Sequence, residues 1–115
     1  MTYQWNVFLA SLDPVVGSEQ AGRRPVLVVS RERNNQVLEV VNIIPLTSVK
    51  SPNRFVYPNE VLLPAGMGGL AVDSIALCYQ VRTLDKARLE RRLGEISDAV
   101  LKRRIQSALC FQLEL

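Results

Sequence analysis

The chain has 115 residues, 48% of them hydrophobic and 22% charged, which argues against disorder and leaves little room for more than one domain over residues 1–115. Fourteen Lys and Arg against eleven Asp and Glu leave a net charge of +3, which permits a polyanionic partner without requiring one. There is no histidine. That excludes Ser-His-Asp and Cys-His catalysis and nearly every zinc site, because two cysteines cannot supply three or four ligands. An enzyme built on this chain works with Arg, Lys, Thr, Ser, Tyr or carboxylates. Cys78 and Cys110 both lie among apolar neighbours and read as two reduced core thiols. No secretory leader and no membrane span is legible, so the expected location is the cytoplasm.

The first eighty residues read as short strands. Val7–Ala10 is followed by a polar, Pro- and Gly-bearing loop from Asp13 to Gly22. Pro25–Val29 is a continuous β-branched run of the kind buried on both faces. Asn34-Asn35 marks a turn. Glu39–Ile44 is a third strand, stopped by Pro45. Phe55–Tyr57 and Val61–Leu63 are weaker strands, and Gly66–Gly69 is a flexible turn lacking the Lys-Ser/Thr of a phosphate loop. Ser74–Val81 is a strong strand, on which Gln80 and Arg82 alternate with their apolar neighbours. Asp85–Leu93 fits either a helical turn or a short strand. From Ser97, a good N-cap, the period is helical, with Leu101, Ile105, Ala108 and Leu109 on one face. Short strands followed by one amphipathic helix predict a mainly β fold: a small bent sheet or barrel with a C-terminal helix.

Several residues can carry chemistry. Ser18, Glu19, Gln20, Arg23 and Arg24 crowd one loop that leads into a buried strand, where binding residues commonly sit. Arg24 precedes Pro25, which holds its backbone extended and sets the guanidinium at the sheet rim, suited to phosphate oxygens. Thr47 and Ser48 follow the third strand, where a hydroxyl donates to a phosphate or stabilises a turn. Arg88, Arg91, Arg92, Lys102, Arg103 and Arg104 form a basic cluster interleaved with Asp85, Glu90, Glu95 and Asp98, which reads as a solvated, partly self-paired face. Taken singly, these features describe a small β-rich domain with a capacity for anions.

In combination they resemble the MazF/PemK family of toxin endoribonucleases. The resemblance runs from Val7–Pro14 through Val16–Ser30, the most specific stretch, to Pro45–Ser48, Asp73–Lys86, Leu93-Gly94 and the terminal helix. It implies a small SH3-like barrel that dimerises and cuts single-stranded RNA without a metal or other cofactor. Attack by the ribose 2′-OH would leave a 2′,3′-cyclic phosphate and a 5′-OH, and a MazE-like antitoxin would lay an extended tail across the site. Carried over by position, Arg24 and Thr47 are the expected catalytic pair, with Glu19 as the candidate general base. Ser18, Gln20, Arg23, Ser48 and Gln80 are the expected RNA-binding residues, and Trp5 or Phe55 could stack on bases. The histidine-bearing variant of the site is absent: Ser18, Leu77 and Tyr79 stand where it places His, Arg and Asp. Alternative readings are a toxin resembling CcdB, acting on gyrase through its terminal helix, and a relative that binds RNA or antitoxin without cutting.

Overall fold

The computed structural model describes residues 1–115. It holds seven strands: β1 (Asn6–Ser11), β2 (Arg23–Val28), β3 (Val40–Ser48), β4 (Glu60–Leu63), β5 (Ser74–Leu77), β6 (Arg82–Asp85) and β7 (Leu89–Glu95). Helix α1 (Glu32–Val37) lies between β2 and β3, and α2 (Ala99–Leu113) closes the chain. All pairings are antiparallel, along the path β4-β5-β3-β2-β1-β7, with β6 added to β3. The sheet is bent and barrel-like, but its end strands β4 and β7 are not paired with each other.

Strand β3 organises the bend. Its start pairs with β6, its middle with β2, and its end, Leu46–Ser48, with β5. Pro45 therefore does not stop the strand, as the sequence suggests. It falls at the last pair with β2, Val26↔Pro45, where β3 transfers to β5 and a missing N–H disturbs the ladder least. The expected strand over Ser74–Val81 is likewise divided. Strand β5 ends at Leu77, and a 3-10 turn over Cys78–Gln80 carries the chain across to β6 at the opposite end of β3.

Alternate residues of the central strands enter two cores. Val7, Leu27, Ile44 and Leu46 join Leu101, Ile105 and Ala108 of α2 in one. Phe8, Ala10, Val26, Val28 and Ile43 join Leu84 in the other. Burial on both faces explains the unbroken apolar runs. Four smaller expectations are corrected. Asn34 and Asn35 lie within α1 rather than a turn, and buried Asn35 donates to the Ser30 carbonyl at 2.8 Å. Phe55–Tyr57 forms no strand. Asp98, not Ser97, caps α2, its Oδ1 accepting the Leu101 N–H at 3.0 Å. Cys110 is exposed on α2, and only Cys78 is a core thiol; both are free.

Two glycines lock β7 to the turn over Met67–Gly69. A Cβ on Gly69 would lie 2.0 Å from the Leu93 carbonyl oxygen, and one on Gly94 would lie 2.6 Å from the Gly68 carbonyl carbon. Backbone meets backbone with no side chain between, and Gly69 also has φ of 72°. This contact brings β7 against the residues that follow the turn.

Candidate functional site

The end of β3 separates two hollows. Strands β2 and β3 are hydrogen-bonded from Val28↔Ile43 to Val26↔Pro45 and then part. Continuing that register sets Arg24 opposite Thr47 and Arg23 opposite Ser48, across a gap rather than a ladder. The gap opens into a cavity of about 560 Å³ lined by Arg23, Arg24, Ser48, Ser74, Arg91 and Leu93, among others. Arg24 is half-buried, and its Nε donates to the Ala21 carbonyl at 2.7 Å. That bond fixes the stem of the guanidinium and leaves its two terminal nitrogens for a ligand. Arg23 is held outward by Glu90, with Nε and Nη2 at 2.7 and 2.6 Å from the same carboxylate oxygen.

The second hollow, about 390 Å³, lies under the β1–β2 loop and is lined by Ser18, Glu19, Gln20, Pro45, Tyr79 and Gln80, with Val81 and Arg82. Thr47 lines neither cavity. It is half-buried, paired with Ile75, and by strand alternation shares the Pro45 face of β3, the face to which the register also assigns Arg24, whereas Leu46 and Ser48 lie on the other face with Arg23. The fold thus groups Ser18, Glu19, Gln20 and Gln80 on one side of β3. Arg23, Arg24 and Ser48 line the other hollow, and Thr47 lies on the partition, opposite Arg24 in register.

The loop over the second hollow is tied from below. Gln80 Oε1 accepts the Gln20 N–H at 2.8 Å, and Gln80 Nε2 donates to the Ser18 carbonyl at 3.4 Å. Arg82 donates to the Leu12 carbonyl at 3.3 Å, and Arg88 donates to the Asp13 carbonyl. Asp13 accepts the Gly22 N–H at 3.1 Å, closing the loop base. Glu19 bends back, one carboxylate oxygen accepting the Val16 N–H at 2.5 Å. Gln20 Oε1 is buried without a partner. The 3-10 turn, not a strand, is what aims Gln80 at this loop.

A family model described as "PemK-like, MazF-like toxin of type II toxin-antitoxin system" matches residues 3–113. The chain belongs to this family of toxin endoribonucleases. It is 36% identical over 102 residues to Endoribonuclease MazF of Staphylococcus saprophyticus, covering 89% of this chain and 83% of that relative. Its fold is similar to that of MazF from Deinococcus radiodurans, with a TM-score of 0.80 and 31% identity over 98% of this chain and 96% of that one. It is also similar to a chain of the MazE-MazF complex from the same organism, with a TM-score of 0.73 and 27% identity over 98% and 95% of the two chains.

Around this MazF-like site, the structure contains a device that the sequence pattern does not announce. Arg54 makes two hydrogen bonds to Glu60, at 3.0 and 2.8 Å, and Glu60 also accepts the Tyr57 N–H at 3.1 Å. Glu60 is only 6% exposed. The Arg54 hydrogen bond holds the Glu60 carboxyl below its ordinary value against the opposing effect of burial. This pair staples the β3–β4 loop and presents Phe55 and Tyr57 outward, their rings edge to face at 4.8 Å. Next to it, burial and the Glu60 charge push the Cys78 thiol up to about 12, so it stays protonated. Trp5 is not free to stack: it is half-buried against the helix-side core, with the Lys102 ammonium 5.6 Å from its ring centre.

The basic cluster is not self-paired. Arg88 is bonded to the loop, and Arg92 Nε to Asn6 Oδ1 at 2.6 Å. Arg103 and Arg104 line an apolar groove beside α2. Among the interleaved acids, Asp85 and Asp98 cap turns, and Glu90 pairs with Arg23 from outside the cluster. No helix is long and apolar enough to cross a membrane.

Proposed function

We propose that this single-domain protein cuts single-stranded RNA at short sequence motifs without a metal ion, acts as a cytoplasmic homodimer, and is held in check by a MazE-like antitoxin. The observation that supports it best is the half-buried Arg24, its stem fixed and its terminal nitrogens free, at the parting of β2 and β3. A guanidinium held in this way is complementary to charge that builds up on phosphorane oxygens, and a preorganised donor of that kind contributes roughly 10²–10³ in rate. Thr47, opposite in register, donates its hydroxyl to the same phosphate. The ribose 2′-oxygen bonds to phosphorus, the bond to the 5′-oxygen breaks, and that oxygen takes a proton from solvent water, so a 2′,3′-cyclic phosphate and a 5′-OH remain. Glu19, whose second carboxylate oxygen has no protein partner, takes the 2′-OH proton. Ser18, Gln20, Arg23, Ser48 and Gln80 hold the strand, and the extended antitoxin tail competes for the same face.

The test is direct. RNAs of several base compositions are incubated with the protein in EDTA and their new ends mapped. Cleavage with cyclic-phosphate ends is expected, abolished in Arg24→Ala and strongly reduced in Thr47→Ala. Intact RNA in every composition overturns the reading.

A further inference from the structure

Arg91 stands out from the basic cluster by its position. It lies on β7, opposite Leu9 of β1, and Leu9 is opposite Pro25 of β2 on the other side. Arg91 is thus one strand removed from the segment that carries Arg24. The backbone contact of Gly69 and Gly94 draws β7 against the turn, so Arg91 and Leu93 become one wall of the Arg24 cavity. The three arginines of that cavity differ in their partners. Arg23 is neutralised by Glu90, and Arg24 is tied by its stem. Arg91 makes no ion pair and no side-chain hydrogen bond, although Glu90 and Glu95 lie on the same strand. Ser48 lines the same cavity, and its hydroxyl is also without a protein partner.

We propose that Arg91 and Ser48 form a second phosphate subsite, which takes the backbone phosphate next to the one held by Arg24. A cavity of about 560 Å³ with two unneutralised guanidinium groups and no carboxylate in its lining is matched to two consecutive phosphates. Arg91 contacts the substrate but not the reacting atoms. Its loss weakens binding without altering the chemical step or the sequence read, because phosphate contacts position a strand and carry no base information. This inference rests on the RNA-cleaving reading given above.

The experiment compares wild type, Arg91→Gln and Arg33→Gln, the last removing an equal charge from exposed α1. Cleavage of a mixed-sequence RNA is measured alongside binding of an uncleavable single-stranded DNA of the same sequence over a range of salt. Arg91→Gln is expected to raise KM about three- to tenfold at low salt with kcat and the cleavage motif unchanged. It should also lower the slope of log affinity against log salt by about 0.7, the share of one phosphate on a single strand. Arg33→Gln is expected to change neither. Equal slopes for Arg91→Gln and wild type overturn the subsite, as does a changed motif. So does weaker binding of an acidic antitoxin peptide with RNA and DNA binding intact. If the wild type cuts no RNA, the functional reading fails, and the DNA slopes still decide whether Arg91 holds a phosphate.

Discussion

The two hollows on either side of β3 are built on opposite terms. Beneath the β1–β2 loop, the Gln80 amide is engaged at both ends by loop backbone, and Arg82 and Arg88 bind loop carbonyls. In the arginine cavity, Arg23 is paired and Ser74 donates to the Val72 carbonyl, but the terminal nitrogens of Arg24, the Arg91 guanidinium and the Ser48 hydroxyl are left without partners. The first hollow owes its shape to hydrogen bonds that a substrate can exchange. The second owes its shape to strands and to backbone contact, and it keeps its charge available. On the function proposed above, recognition that must adapt and charge stabilisation that must be ready in advance are divided between these two hollows.

Five changes break or sharpen that contrast. Gly69→Ala should be the most damaging, since a Cβ 2.0 Å from the Leu93 oxygen cannot fit at a positive φ; loss of the folded state in a thermal melt, or at least about 3 kcal/mol in denaturant, is expected. Arg24→Ala should leave the melt unchanged and lower the cleavage rate by at least roughly 10²–10³-fold at every site, which abolishes visible cleavage. Arg54→Leu leaves the Glu60 carboxylate buried without its cation, and chemical denaturation should show a loss of about 2–3 kcal/mol.

Glu32→Gln probes a tie outside both hollows. Glu32 accepts the N–H groups of Tyr3 and Gln4 at 3.0 and 2.8 Å. Burial opposes its charge, but these bonds and those from Gln36 and Asn35 lower its pKa to about 2 from 4.5. The depressed value means that its contribution is complete above pH 4.5 and lost as pH falls toward 2. The variant should therefore be about 1–2 kcal/mol less stable at pH 7, discounted for partial exposure, with the difference shrinking below pH 4.5. Gln80→Leu should have the smallest effect, about a five- to tenfold fall in rate with faster hydrogen exchange at the Gln20 amide, the value of one or two partly exposed hydrogen bonds. A new cleavage motif in Gln80→Leu, with Gln20 exchange unchanged, would make Gln80 a reader of bases rather than a tie for the loop.

What was legible in the chain is what is decided locally. The Arg24-Pro25-Val run declares an extended rim and a buried strand within a few residues, and the register of the terminal helix follows from its apolar spacing. Pro45 and Gln80 mislead for the same reason as each other. Proline ordinarily ends a strand, and Ile75–Val81 ordinarily continues one, but both lie where the chain moves between the two halves of a bent sheet, and that path is set by distant pairings. Arg91 reads as one charge among many, because its cavity is assembled from four separated segments. Glu60 gives no sequence warning that it is buried, since its partner Arg54 is drawn to it by a loop.

The end of β3 also sets a length. From Pro45, which lines the loop hollow, to Ser48, which lines the arginine cavity, is three residues of extended chain, about 10 Å at the usual rise of a strand. Loops can be redrawn without moving that interval, because β3 is anchored on both sides by other strands. On the function proposed above, the strand acts as a gauge: changes in the surrounding loops would alter which bases are accepted, while the distance between the base that is read and the phosphate that is held would stay the same.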